Sequence, residues 1–345
     1  MAEQIFSSIY NATPAVAAAR RIVPDLVIQD VTMREGQKRG GGEFGRAEKI
    51  ALAKELDALG IGQIQVGFPG TVAADIVTTR AVKEAGVAAP LEVIASVWRD
   101  DWRHQIDAAV ESGADWVLLT HPASQIRLEN VHHVTPEQVK ERTRESVSYA
   151  VDRGILVRFS CTDMTRTELD VAIEMYLTAK ECGARRISIS DTVGSAGPGA
   201  IAYLVSQLGE RAGLPVHVHC HNELGLALAN SLAAVEAGAT MIDVSVNGLG
   251  DHCGNTSLEE LAIALTVVAG VETGLRLERL NELSRLVEEI SAIPVPPNKP
   301  VVGAEVFARK IPNGDLSAYA TGTNEAYAPE LVGQRYRVIA GDGLH

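Results

Sequence analysis

Leu26-Val27-Ile28-Gln29-Asp30-Val31-Thr32-Met33-Arg34-Glu35-Gly36 decides the fold. Its first half is a β-branched strand. Its second half stands where an open, doubly wound sheet would carry a phosphate-binding GxGxxG loop, and it carries Arg34-Glu35-Gly36 instead. Seven more strand-like runs follow: Ile61 to Phe68, Leu91 to Val97, Ala114 to Thr120, Ile155 to Ser160, Arg186 to Asp191, Val216 to His221 and Met241 to Val246. Amphipathic stretches alternate with them, among them 47–59, 136–152, 168–182, 199–212 and 226–237, and several end in a glycine placed to cap a helix. Eight βα units in about 245 residues predict an α/β protein of the closed (β/α)8 kind, a TIM barrel.

The barrel is expected over residues 25–292, after an N-terminal leader over 1–24. Leu275 to Ile290 predicts one more helix, and Pro294, Pro296, Pro297 and Pro300 then mark a boundary. The C-terminal linker or subdomain, 293–345, is too short for a core of its own. No regulatory domain is expected in it, and so no feedback inhibition through one.

With 46% hydrophobic and 22% charged residues, the 345-residue chain is neither disordered nor a coiled coil. Its 31 basic and 44 acidic side chains leave a net charge of −13, the wrong sign for a nucleic-acid surface. Any anionic ligand needs a local basic pocket. Four cysteines (Cys161, Cys182, Cys220, Cys253) show no CxxC spacing, and there is neither a secretory h-region nor an apolar run of membrane-spanning length. A cytoplasmic protein with reduced thiols is expected.

In such a barrel the chemistry sits at the C-terminal ends of the strands. Strand seven runs His217-Val218-His219-Cys220-His221-Asn222, and its two-residue period puts three imidazoles on one face. Two of them at i and i+2 can hold one metal. Closure makes strands seven, eight and one neighbours, so a carboxylate from the first, these imidazoles and the amide oxygen of Asn255 can meet at one point. That mixed oxygen and nitrogen set suits a divalent ion such as Mg, Mn or Zn.

These residues resemble a family of metal-dependent acyl-CoA/2-oxo acid synthases on a TIM barrel. It includes isopropylmalate, citramalate and homocitrate synthases and, more distantly, HMG-CoA lyase. HCHNELGLALAN (His219 to Asn230) with GLGDHCGN (Gly248 to Asn255) is similar to HCHNDxGxAxAN followed by GxGERxGN. DVTMREG (Asp30 to Gly36) resembles DTTLRDGEQ, QVGFP (Gln65 to Pro69) resembles EVGFP, and SDTVG spans Ser190 to Gly194. The resemblance implies that Glu35, His219 and His221 ligate the metal with Asn255 ligating or nearby. It implies that Arg34 stabilises the oxygen of the 2-oxo acid, and that Thr192 holds its carboxylate. Gln37 is expected among the substrate-binding residues.

The chain departs from this pattern in ways that bear on chemistry. Thr162 stands where the synthases have a glutamate concerned with proton transfer, and a hydroxyl cannot replace a carboxylate there at neutral pH. The linker Phe307-Ala308-Arg309-Lys310-Ile311-Pro312-Asn313-Gly314 lacks the histidine that the family's FAHESGIH supplies to a neighbouring subunit. Lys38 and Arg127 replace a glutamine and a histidine and add positive charge at the mouth. Arg34, Thr162 and Lys38 are thus the catalytic candidates, and Thr192, Arg127 and Gln37 the substrate-binding ones. The expected reaction is a Claisen-type condensation of an acyl-CoA, most simply acetyl-CoA, with a 2-oxo acid carrying a second anionic group. A metal-dependent carbon–carbon lyase or aldolase is the alternative, and a homodimer the expected assembly.

Overall fold

A computed structural model describes residues 4–38, 44–310, 322 and 324–339. Eight parallel strands close into a barrel: β1 (Val27–Asp30), β2 (Gln63–Gly67), β3 (Leu91–Ser96), β4 (Trp116–Pro122), β5 (Leu156–Thr162), β6 (Arg186–Asp191), β7 (Val216–Cys220) and β8 (Met241–Val244). The seam is β1 against β8, with Val27 opposite Met241 and Asp30 opposite Val244. The barrel expected from the sequence is the barrel present, and the open-sheet rival is excluded by closure.

Helices cover the barrel: α1 (Arg46–Leu59), α2 (Ala74–Glu84), α3 (Trp102–Glu111), α4 (Pro136–Asp152), α5 (Leu169–Glu181), α6 (Pro198–Ala212), α7 (Ala227–Glu236) and α8 (Leu258–Ala264). In α1 the buried positions Lys49, Leu52, Ala53, Leu56 and Leu59 follow the helical repeat and face the strands. Its N-terminus is capped by Glu48, whose carboxylate accepts the Gly45 N–H at 2.5 Å. It ends where Gly60 turns left-handed (φ 97°) and donates its N–H back to Leu56 and Asp57. Each fully buried leucine contributes about 1.5–3 kcal/mol.

The barrel interior is polar as well as apolar. Glu92 of β3, Arg158 of β5, His217 of β7 and Asp243 of β8 are buried there. Arg158 bridges the two carboxylates, at 2.7 Å from Glu92 and 3.4 Å from Asp243. Gln29 and Gln65 donate to Glu92 at 2.7 and 2.6 Å. This charged layer forms the floor beneath the barrel mouth.

After α8 the chain continues through α9 (Leu280–Ser291) to a small parallel pair, β9 (Ala308–Lys310) and β10 (Arg337–Ile339). Lys299 fastens this region to α8 through Glu260 at 2.6 Å and Glu259 at 3.5 Å. The N-terminal segment pairs with it, as Phe6 donates to Ala326 and Ala328 to Gln4, both at 2.8 Å. The Ile311–Gly314 part of the linker reading and the chain end 340–345 lie outside the described residues.

Candidate active site at the barrel mouth

The turn that leaves β1 is built by Asp30. Its carboxylate accepts the Thr32 N–H at 3.0 Å and the Thr32 hydroxyl at 2.6 Å, while Thr32 Oγ1 accepts the Val246 N–H at 2.8 Å. The chain therefore turns at once into a helical turn, Thr32–Gly36, locked against the end of β8. That turn aims Glu35 across the mouth towards β7.

There Glu35 meets His219 and His221, all three buried, with one ligating atom from each within 4.8 Å of the others. His219 Nε2 lies 3.4 Å from Glu35 Oε1 and 3.3 Å from His221 Nε2. Asn255 pairs by its backbone with His221, and its amide reaches within 3.3 Å of His219 Nε2. Burial first, then the surrounding positive groups, hold the His221 pKa well below its ordinary value; burial likewise lowers His219. Both rings are therefore neutral near pH 7, with lone pairs to offer. Glu35 Oε2, His221 Nδ1 and Asn255 Oδ1 are buried with no partner. A carboxylate and two imidazoles brought this close, with buried acceptors left unpaired on Glu35, His221 and Asn255, fit a divalent cation.

In front of this group opens a cavity of about 250 Å³. Its wall is dense in hydroxyls: Ser96 and Thr120 from β3 and β4, Ser160 and Thr162 from β5, and Ser188, Ser190 and Thr192 from β6 and its loop. Arg34 and Lys38 line it beside the carboxylate, and Arg158 forms its floor. Arg34 contacts Glu35 and donates to Gln65 at 2.6 Å. Burial brings its pKa down to about 10, which leaves it charged. Lys38 Nζ lies 3.2 Å from Glu35 Oε1, and burial with Arg34 pushes its pKa down to about 7. Thr192 Oγ1 accepts the Asp163 N–H at 2.8 Å, so its own hydrogen is free to donate into the cavity.

Two sequence candidates lie elsewhere. Gln37 points away from the mouth and donates to Asp75 at 3.3 Å, in a neighbouring cavity of about 460 Å³ beside α1 and α2. Lys38 borders both cavities, whereas Gln37 lines only this neighbouring one. Arg127 ends a short helix, Gln125–Arg127, outside the cavity lining. It sits near His132, whose pKa burial and Arg127 together lower.

The structure adds two residues that the motifs did not single out. Asp243 accepts from His219 Nδ1 at 2.9 Å and from His217 Nε2 at 2.7 Å. Although burial opposes its ionisation, His217 and Arg158 hold its pKa well below the usual range. Fixing the proton on His219 Nδ1 turns Nε2 towards Glu35 as a lone pair, the familiar carboxylate support of a metal-binding imidazole. Arg158 is the other, a cation at the base of the cavity. The signal for both was a lone charged residue inside an otherwise apolar strand, Met241-Ile242-Asp243-Val244 and Leu156-Val157-Arg158-Phe159.

A closed TIM barrel whose mouth gathers neutral imidazoles, a carboxylate and an arginine around one point is the body of an enzyme. The chain belongs to the HMGL-like family, whose sequence model matches residues 25–287. Homocitrate synthase AksA of Methanothermobacter thermautotrophicus is 36% identical over 96% of this chain and 84% of its own length. A probable 2-isopropylmalate synthase of Methanopyrus kandleri is 39% identical over 92% of this chain and 64% of its own. Among solved structures, the HMG-CoA lyase of Bacillus subtilis superposes with a TM-score of 0.68 at 20% identity, over 80% of this chain and 96% of that one. That likeness establishes the fold.

Proposed function

We propose that the enzyme condenses acetyl-CoA with a 2-oxo acid that carries a second anionic group. The observation that carries this reading is the buried Glu35, His219 and His221 group opening onto a hydroxyl-lined cavity with cations on its floor and rim. The naming of relatives as homocitrate and 2-isopropylmalate synthases supports the same reaction class.

A divalent ion held by Glu35, His219 and His221, with Asn255 beside them, would supply Lewis-acid polarisation of the oxo acid's carbonyl. The chain's own residues do the rest. Arg34 places a buried guanidinium where negative charge grows on that oxygen, and such a donor is worth a few kcal/mol. Thr192 offers its hydroxyl hydrogen to the acid's carboxylate. The remaining hydroxyls of β5 and β6 and the Arg158 floor favour a polar or anionic tail over a branched aliphatic one. Lys38 adds a cation at the rim, and a bound anion beside it would hold its proton on. Arg127, being outside the lining, is not part of this reading.

Thiol release from acetyl-CoA tests it, measured with and without added Mg or Mn against 2-oxoglutarate, oxaloacetate, phosphonopyruvate and 2-oxoisovalerate. Metal-dependent release with a dianionic acceptor, weak release with 2-oxoisovalerate, is the expected result. Equal or better activity with 2-oxoisovalerate would remove the second anionic group from the proposal, and no thiol release with any acceptor would reject condensation.

A further inference from the structure

Condensation needs a base to take a proton from the methyl group of the thioester, and the titratable side chains lining the cavity are engaged: the Lys38 ammonium is paired with Glu35 at 3.2 Å. Among the described residues the carboxylate lining it is Asp243, committed to His217 and His219. Thr162 has only a hydroxyl, and His219 and His221 belong to the metal group. Above that group, on the rim, the loops after β6, β7 and β8 converge on a pair of residues. Glu223 Oε1 stands 3.1 Å from His252 Nδ1 and 3.9 Å from His221 Nδ1. Gly194 (φ 58°) makes room for it: a Cβ there would lie 2.5 Å from Glu223 Oε2. His252 itself is held in the left-handed region (φ 50°), where side chains are rarely placed without a reason. Both members differ from the family pattern, since Glu223 replaces the aspartate of HCHND and His252 the arginine of GERxGN. The two departures touch each other.

We propose that His252, oriented by Glu223, is the general base that deprotonates acetyl-CoA in this enzyme. This rests on the condensation reading above. With the Nδ1 hydrogen donated to Glu223, Nε2 carries the lone pair, and the ring, 70% exposed, is open to an arriving thioester. Nε2 takes a methyl proton. The electron pair of that C–H bond forms the new C–C bond to the carbonyl carbon of the oxo acid, whose π electrons move to its oxygen beside Arg34. The imidazolium then lies between Glu223 and Asp251, the latter 3.8 Å from Nε2. The alkoxide takes up a proton and the imidazolium gives its own back to solvent, and water then cleaves the thioester to a carboxylic acid and the free thiol.

The test uses the full chain with Mg, acetyl-CoA and 2-oxoglutarate, or whichever acceptor the wild type prefers. His252→Gln keeps a donor for Glu223 but has no basic nitrogen. It should lower kcat at least about 100-fold, the scale of general-base catalysis, with the KM for the oxo acid and metal uptake by equilibrium dialysis unchanged. Free imidazole should restore turnover, because the position is open to solvent. A variant within about threefold of wild type, or one that imidazole does not rescue, overturns the role of His252. A wild type that releases no thiol with any acceptor is a different failure, that of the condensation reading.

Discussion

Asp243 shows how much of the site rests on residues that would touch neither metal nor substrate. Asn in its place keeps the shape but no longer anchors the His219 Nδ1 proton with a charge. Asp243→Asn should weaken divalent-metal binding about 10- to 100-fold, the usual cost of such a support, as read by calorimetric titration. Unchanged affinity would make Asp243 a purely structural partner of Arg158. On the proposed role of its guanidinium at the developing oxyanion, Arg34→Ala should cut turnover by about 100-fold or more while leaving metal uptake unchanged. Full turnover in that variant would reject this role. The alternating histidines of β7 were legible because a strand's period is two. Asp243 was not, since its meaning depends on β8 closing beside β7, and Gln37 and Lys38 could not be told apart without the direction of the turn that carries them.

At the scale of elements, the charged layer inside the barrel ties β3, β5 and β8 together. Arg158 is buried between Glu92 and Asp243, so removing Glu92 leaves the buried cation only its longer contact with Asp243. Glu92→Gln should destabilise the barrel by roughly 3–5 kcal/mol in denaturant unfolding. Adding Arg158→Met should return part of that loss, since an apolar side chain no longer needs the partner. Additive losses in the double variant would contradict the coupling. The alternation of strands and helices was readable along the whole barrel because each element buries one face against its neighbours. The path of the loops was not. Arg127 lies five residues beyond β4, at the end of a short helix outside the cavity lining, and no periodic pattern marks such a turn.

For the whole molecule, acid stability carries a definite sign. His121 is buried between the Thr143 and Ser146 hydroxyls, and burial followed by Arg142 pushes its pKa down to about 3. The unfolded chain takes up that proton near pH 6.5, the folded chain not until about 3. Stability contributed at neutral pH is therefore lost as pH falls through that interval, by up to about 1.4 kcal/mol per pH unit for one such ring. His217, also pushed down to about 3, adds to it. His121→Gln should make the pH dependence of unfolding free energy shallower by one proton between pH 4 and 6, and an unchanged slope would show that the ring protonates without unfolding. Among the described residues no helix is long and apolar enough to cross a membrane. Ile9 and Tyr10 remain 79% and 71% exposed at the N-terminal edge, and a dimer is expected in sedimentation at micromolar concentration. Monomers there would contradict it.

The seam between β1 and β8 has a consequence in time. Glu35 leaves the ribosome long before His219, His221 and Asn255, and its turn is pinned by Val246, just past the last barrel strand. Until the chain has been made past residue 255 and the last strand has docked on the first, no point in space holds these four side chains together. A divalent ion would thus recognise only the finished cylinder, stabilising it by mass action and leaving every earlier, open arrangement untouched. Uptake of metal during refolding would be a clock for closure itself.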